Sequence, residues 1–226
     1  MKKLLVLFVL SVFVVACANT KADKQYIGVI AAMDEELEAI VELVDGLEEE
    51  KIGYFTYLVG KIGEQDVILT KSGVGKSLSA MTTTALISNY NISKVINIGV
   101  AGALQEHINV GDVVVSQQIA LSDFDLTGFG TPQSFDTERF SCDDDPELVE
   151  VLKGLNADNM HFGSSTSSDT FISSREQVKS VLENFPTSLS ADMEAGSIAM
   201  VLNEFDIPFV IVRAMSDNAV STEENT

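Results

Sequence analysis

The sequence predicts one layered α/β domain built on a mainly parallel or mixed sheet. Short apolar runs that suit buried strands alternate with longer segments of helical periodicity, which is the order typical of this class. The length of 226 residues and the hydrophobic share of 46% are sufficient for one sizeable core. The formal net charge of −20 disfavours nucleic acid and anionic lipid surfaces as partners, because both are negative themselves.

The first residues have the pattern of a bacterial export signal. Two lysines precede an apolar run over residues 4–18, which is shorter than the roughly 20 residues that a membrane-spanning helix needs. The segment that ends in Ala16-Cys17 resembles a lipobox, so we expect a lipoprotein-type signal peptide over residues 1–16, lipidation of Cys17, and a tether over residues 17–24. The protein would then face the periplasm or the cell surface, held to the membrane only by its lipid. The alternative is cleavage after Ala18, which would release a soluble exported protein.

The domain is expected over residues 25–226 and begins with a strand and a helix. Residues 26–32 are apolar and end in small side chains, as in a buried parallel strand. Residues 33–44 carry apolar side chains at helical spacing, and Gly46 is a plausible stop. Two β-branched runs, 54–59 and 66–70, flank a polar turn and predict a hairpin.

The middle of the chain continues the alternation. Residues 77–90 contain neither proline nor glycine and predict a helix, followed by strands at 94–100 and 112–120 and a loop at 122–130. Pro146 opens a further helix at 147–152.

The last third predicts two more helices and a final strand. Ser173 or Ser174 can cap a helix that runs to Phe185, residues 193–205 are helical in pattern, and residues 208–215 form a buried strand. The sequence stops at Thr226, shortly after that strand. A domain of this kind is expected to carry one more helix there, so the sequence predicts a domain that is short at its C-terminus.

Two motifs are weaker than they look. Residues 72–77 end in Gly-Lys-Ser like a phosphate-binding loop, but the motif requires a glycine at the position that Thr70 occupies, so a strand-to-helix turn is preferred. His107 and His161 lack the spacing of metal ligands, and each is expected on the surface or in a loop.

Acidic residues follow three of the predicted strands or open a helix. They are Asp34-Glu35-Glu36, Asp192-Met193-Glu194 and Ser216-Asp217. Ligands of open α/β sheets bind outside the carboxyl ends of the strands, so these acids could meet in one cleft. The ordinary alternative is that acidic side chains favour the first turn of any helix. Two carboxyl groups with separated pKa values can act as acid and base on a glycosidic bond.

Six sequence blocks together carry a family resemblance. They are IGVIAAMDEE (27–36), KSGVGK (71–76), NIGVAG (97–102), VGDVVVS (110–116), DMEA (192–195) and VRAMSD (212–217). In this order they resemble the 5′-methylthioadenosine/S-adenosylhomocysteine nucleosidases of the nucleoside phosphorylase superfamily. The resemblance implies a single-domain, three-layer α/β/α nucleoside phosphorylase-like fold with a central mixed sheet. It also implies hydrolysis of adenine nucleosides, a homodimer, and no cofactor or metal.

The resemblance also implies roles for the acids. Asp217 would protonate N7 of adenine, with Ser216 positioning it, and Glu36 would activate the attacking water. Glu194 would hold the ribose 2′ and 3′ hydroxyls, and Met193 would pack against the sugar.

The remaining pocket residues are implied in the same way. Phe171 would stack on adenine, the backbone of Ile172 would bind the edge of the base, and Val74 would line the pocket. Phe129 would complete the 5′-alkylthio pocket of the neighbouring subunit. Val100 stands where some relatives carry serine, next to a turn expected from Gly99 and Gly102.

Two other functions compete with hydrolysis. A purine nucleoside phosphorylase would use phosphate instead of water, but phosphate would meet the acids at the end of the first strand. A non-catalytic surface lipoprotein that only binds nucleosides would have lost its acid or base, whereas Glu36, Glu194 and Asp217 are all present.

Overall fold

The computed structural model describes residues 24–137, 141–143 and 145–218. Several predicted features lie outside the described residues. They are the signal peptide predicted over residues 1–16, Cys17 with its predicted lipid, nearly all of the predicted tether, and residues 219–226. The described strands are β1 (Tyr26–Ala31), β2 (Asp45–Ile52), β3 (Phe55–Ile62), β4 (Gln65–Lys71), β5 (Ile92–Ala103), β6 (Val113–Leu121), β7 (Ser141–Asp143), β8 (Met160–Ser167), β9 (Ser188–Asp192) and β10 (Phe209–Asn218). The described helices are α1 (Asp34–Val41), α2 (Lys76–Asn89), α3 (Pro146–Lys153), α4 (Arg175–Asn184) and α5 (Ala195–Glu204), with a short 3₁₀ turn at Thr127–Phe129.

The strands form one mixed sheet, as predicted. Five of them close into a ring, because β10 pairs with both β5 and β6, and β8 and β9 complete the circle between β6 and β5. The rest of the sheet extends from β5 through β1, β4, β3 and β2. The central pairs β1–β4, β1–β5 and β5–β10 are parallel, so their carboxyl ends lie at the same edge of the sheet.

Helices cover both faces of the sheet, which confirms the three-layer prediction. On one face Leu37 of α1 packs with alternate residues of β1 and β4, among them Val29. On the other face Leu86 of α2 and Ile198 of α5 pack with the intervening residues, among them Ile30. The alternation of side chains along β1 therefore places both helical layers.

Several predicted elements are confirmed with small shifts at their ends. The hairpin of β3 and β4 is antiparallel around Gly63. Helix α4 begins after Ser174, whose hydroxyl accepts the N–H of Gln177, while the Gln177 side chain accepts the N–H of Ser174. Helix α3 begins at Pro146, and the carboxylate of Asp145 caps it by accepting the backbone N–H groups of Glu147 and Leu148.

Other predictions need correction. The final strand ends at Asn218 and not at 215, so Ser216 and Asp217 lie inside β10 at a shift in register, instead of following the strand. Gly99 and Gly102 do not form a turn but lie within β5. His161 lies half-buried in β8, where its Nε2 is 3.0 Å from the Asp112 carboxylate, and only His107 is exposed as expected.

Among the described residues, no helix has both the length and the apolar composition that a bilayer crossing requires.

Candidate active site

A pocket of about 210 Å³ opens where the parallel strands end, and ten of the eleven predicted site residues line it. It takes side chains from the β1–α1 junction, the turn before α2, the end of β5, the segment after β8, the β9–α5 junction and the end of β10. The predicted residues that line it are Glu36, Val74, Val100, Gly102, Phe171, Ile172, Met193, Glu194, Ser216 and Asp217. The topology thus brings together acids that lie up to 181 residues apart, from Glu36 to Asp217 (217 − 36).

Glu36 is held by three backbone N–H groups. Its Oε2 accepts hydrogen bonds from Ala32 at 2.8 Å and Met33 at 2.9 Å, and its Oε1 accepts one from Val100 at 2.9 Å. The first two arise because Glu36 is in the first turn of α1 and reaches back to the free N–H groups at the helix start. The third requires β5 to approach closely: a Cβ at Gly99 would lie 2.9 Å from Glu36 Oε1.

Glu194 is buried at the β9–α5 junction. Its Oε1 accepts the N–H of Gly75, 2.8 Å away in the turn before α2. Burial, followed by the neighbouring Asp192 carboxylate, raises the pKa of Glu194 from 4.5 to about 7, although the Gly75 N–H and Arg213 oppose the shift. A carboxyl with this pKa changes its charge near neutral pH.

A buried ion pair between Arg213 and Asp192 supports the pocket, and it was not predicted from the sequence. Arg213 Nε and Nη2 lie 2.7 and 2.6 Å from Asp192 Oδ2, and Nη2 also donates to Asn97 Oδ1 at 2.6 Å. Asp192 also accepts the hydroxyl of Ser167. The available signal was an arginine inside an otherwise apolar strand, because a charge in that position requires a buried partner.

Asp217 lines the pocket and has one carboxylate oxygen without a hydrogen-bond partner in the part of the chain that the structure describes. The Ser216 hydroxyl donates to Asp217 Oδ2 at 2.9 Å, whereas Oδ1 is buried and has no hydrogen-bond partner among the described residues. The absence of a side chain at Gly102 makes room for it, since a Cβ there would lie 2.9 Å from Oδ1. A buried acceptor without a partner costs about 1–3 kcal/mol, and a hydrogen-bond donor that reached this oxygen would remove that cost.

Apolar side chains form the other walls. Met193, Ile172 and Val74 line the pocket with Phe171, a residue that is 62% exposed and so is accessible to a planar ligand. Phe129 does not line the pocket: it lies on the 3₁₀ turn and is 87% exposed. Its predicted role in a neighbouring subunit therefore stays a prediction.

The charged residues that line the pocket are all acids. They are Glu36, Asp192, Glu194 and Asp217, and no lysine, arginine or histidine is among the described residues that line it. Arg213 does not line the pocket but is bound to Asp192 beneath it. A ligand with hydroxyl and amine groups suits this lining, whereas an anionic ligand does not.

Comparison with known proteins assigns the family. The model of the phosphorylase superfamily matches residues 26–226. The chain is 36% identical over 208 residues to the 5′-methylthioadenosine/S-adenosylhomocysteine nucleosidase of Desulfotalea psychrophila, covering 87% of this chain and 86% of the relative. It is 35% identical over 201 residues to that of Staphylococcus aureus, covering 85% and 86%.

Solved structures agree with the sequence relatives. The nucleosidase from S. pneumoniae, with a transition-state inhibitor, superposes with a TM-score of 0.81 at 33% identity over 87% of each chain. The nucleosidase from Neisseria meningitidis, in complex with methylthio-immucillin-A, gives 0.80 at 30% identity over 87% of each chain. The chain therefore belongs to the phosphorylase superfamily and, within it, to the family of the 5′-methylthioadenosine/S-adenosylhomocysteine nucleosidases.

Proposed function

We propose that this protein hydrolyses the N-glycosidic bond of 5′-methylthioadenosine and S-adenosylhomocysteine, releasing adenine and the 5′-thioribose. The observation that carries the proposal is the pocket lining, which combines four carboxylates with apolar walls and has no cation among its described residues. The solved relatives support the substrate class, because they are structures in complex with a transition-state inhibitor, methylthio-immucillin-A or adenine.

Water is the nucleophile that this pocket favours over phosphate. Two like charges about 4 Å apart repel by about 4 kcal/mol at an effective dielectric constant of about 20. A phosphate anion in this pocket would be repelled by Glu36 and by the ionised form of Glu194, and Arg213 is not available to bind it because Arg213 is already bonded to Asp192. The phosphorylase alternative is therefore disfavoured.

Asp217 is the proposed general acid. Its free Oδ1 can share a proton with N7 of adenine, and the Ser216 hydroxyl on Oδ2 fixes the plane of the carboxyl group. Protonation of the purine makes it a better leaving group as the bond to ribose breaks. Phe171 and Ile172 are the proposed contacts to the base.

Glu36 is the proposed activator of water. A carboxylate has about four acceptor positions, and three of those of Glu36 are used by backbone N–H groups, which leaves one for a water. Glu194 is the proposed partner of the ribose 2′ and 3′ hydroxyls, and its ionised form is the better acceptor. Met193 is the proposed contact to the sugar.

The 5′ substituent is the part of the substrate that extends toward Phe129 in our proposal. In this proposal the protein is a homodimer, and Phe129, a residue that is 87% exposed in the single chain, packs against the alkylthio group bound by its partner. Phe129→Ala should then raise KM for methylthioadenosine more than KM for adenosine.

The test of the function is turnover by the mature protein of methylthioadenosine, S-adenosylhomocysteine and inosine, each with and without phosphate. We expect adenine release from the first two in phosphate-free buffer and little reaction with inosine. Strict dependence on phosphate would favour the phosphorylase, activity on inosine alone would refute the adenine specificity, and binding without turnover would indicate a nucleoside-binding lipoprotein.

We also propose that the protein is exported and anchored through a lipid on Cys17, on the basis of the lipobox-like segment at residues 14–17. Radiolabelled palmitate should label the wild type and not Cys17→Ala. An unlabelled wild type in the soluble fraction would favour cleavage after Ala18 instead.

A further inference from the structure

Lys76 joins three separate segments around the pocket. It is the first residue of α2, and its backbone N–H donates to Asp169 Oδ1 at 2.8 Å. Its Nζ lies 2.5 Å from Asp123 Oδ1 and 3.7 Å from Asp169 Oδ2. The second oxygen of Asp123 accepts the backbone N–H of Asp169 at 2.9 Å. We refer to Lys76, Asp123 and Asp169 as the Lys76 cluster.

Two of the three segments in the cluster continue directly into the pocket. Immediately before Lys76, Gly75 donates its N–H to Glu194, and Val74 lines the pocket. Asp169 follows β8 and leads into Phe171, and Asp123 follows β6 and leads toward the 3₁₀ turn. The cluster therefore fixes these segments relative to one another.

The members of the cluster do not themselves line the pocket. The side chain of Lys76 is 19% exposed and that of Asp123 is 31% exposed, so solvent screens this pair less than the surface pairs of the molecule. The turn before Lys76 is also closely fitted: Gly75 has a φ of +95°, and a Cβ there would lie 3.2 Å from Asp169 Oδ1. A shift of Asp169 would therefore be transmitted to the turn.

We propose that Lys76 is a positioning residue for nucleoside binding: through the Lys76 cluster it places the Gly75 N–H against Glu194 and the segment after Asp169 against the base. The proposal rests on the proposed function, since it takes Glu194 as the ribose ligand. It also gives a use to the Gly-Lys-Ser motif, whose lysine here binds two protein carboxylates.

Removal of the Lys76 charge should weaken nucleoside binding more than it slows the chemical step. Without Lys76 Nζ the two aspartates repel each other, and Asp169, which still accepts the backbone N–H of residue 76, can shift together with the turn that contains Gly75. The Gly75 N–H lowers the pKa of Glu194, so a displaced Gly75 raises that pKa and moves the ionised form to higher pH. The general acid and the water activator are held by other contacts, so the chemical step is less affected.

The test compares Lys76→Met, Lys76→Arg and Asp123→Asn in the mature protein, with methylthioadenosine as the substrate. We expect Lys76→Met and Asp123→Asn to raise KM by about tenfold and to lower kcat by less than about threefold. As pH rises and Glu194 ionises, KM should fall, and in both variants this fall should occur at higher pH than in the wild type. Lys76→Arg should return KM to within about threefold of the wild type, because it restores the charge.

The matched control is Lys153→Met. Lys153 forms an equally short pair, 2.5 Å from Glu150 within α3, and lines no described pocket. We expect it to leave KM and the pH profile unchanged. If Lys76→Met does not fold, Asp123→Asn decides the question, because it keeps the lysine and the shape of the aspartate.

Two outcomes would overturn the positioning role and leave the function intact. The first is that Lys76→Met and Asp123→Asn have the same KM and the same pH profile as an active wild type. The second is that these variants lose kcat and thermal stability at constant KM, and that Lys76→Arg does not restore them. An inactive wild type would overturn the function and the positioning role together.

Discussion

The two ends of the pocket hold a carboxylate in opposite ways. At the β1–α1 end, Glu36 receives three backbone N–H groups, from both its own helix and β5. At the end of β10, Asp217 has one hydroxyl on Oδ2 and no described partner for its buried Oδ1. This difference suits the two groups to the different tasks that we propose, because backbone donors fix an acceptor in place, whereas an oxygen without a protein partner loses no bond when it meets a ligand.

The first way to break this comparison is Asp217→Asn. We expect kcat to fall by about 10²-fold or more, because an amide N–H is too weak an acid to protonate the purine. Asparagine can still accept the Ser216 hydroxyl, and the other position had no partner to lose, so the free energy of unfolding should stay within about 1 kcal/mol of the wild type. Steady-state kinetics and urea unfolding measure both. Near-normal turnover would refute the role of Asp217.

Glu36→Gln should lower kcat by a similar factor of about 10² and should also destabilise the fold. Glutamine has only one oxygen for three N–H donors, so at least one donor, expected to be that of Val100, faces an NH₂ group. A lost partner of this kind costs about 1–2 kcal/mol in the free energy of unfolding. Urea unfolding of Glu36→Gln and Asp217→Asn under the same conditions decides the point. Equal free energies of unfolding for the two variants would contradict the difference in how Glu36 and Asp217 are held.

Glu194 makes the stability of the protein depend on pH. Its folded pKa of about 7 is above its ordinary value of 4.5, so the folded state binds the extra proton between these values. Stability should therefore fall as pH rises from about 4.5 to about 7, by on the order of 3 kcal/mol in total. Glu194→Gln should lose this dependence and should melt above the wild type at pH 8. If the melting temperatures of Glu194→Gln and of the wild type change in parallel from pH 5 to pH 8, the raised pKa of Glu194 is contradicted.

The smallest effect is expected from Val100→Ser. Val100 contributes its backbone N–H to Glu36, and this bond does not depend on its side chain. We expect kcat and KM within about threefold of the wild type, since 40% of the side chain is exposed. Steady-state kinetics with methylthioadenosine provide the measurement, and a tenfold change would mean that the side chain acts on the water or sugar directly.

The sequence predicted most apolar elements and missed the polar strands. β2 is an exposed edge strand rich in glutamate, paired to β3 through its backbone, so no apolar pattern marks it. β8 and β9 are rich in serine: Ser165 bonds to the hydroxyls of Ser116 and Ser190 inside the ring of strands. Hydroxyl pairs replace apolar packing there, and a pattern based on hydrophobicity does not detect them.

The sequence predicted the acidic residues of the site but not the ion pairs that support it. Glu36, Glu194 and Asp217 could be expected together because strand ends share one edge of the sheet. The partners of Arg213 and Lys76 depend on contacts between segments more than 20 residues apart, such as Arg213 with Asp192 and Lys76 with Asp123. Their charges were visible in the sequence, but the identity of the partner required the fold.

The most direct test of the acidic pocket is the origin of the oxygen on the released sugar. Methylthioadenosine would be converted by the wild type in ¹⁸O-labelled water that also contains phosphate, and the sugar product would be analysed by mass spectrometry. The account predicts methylthioribose that carries one ¹⁸O atom, with no sugar phosphate. Formation of methylthioribose 1-phosphate without the label would contradict it.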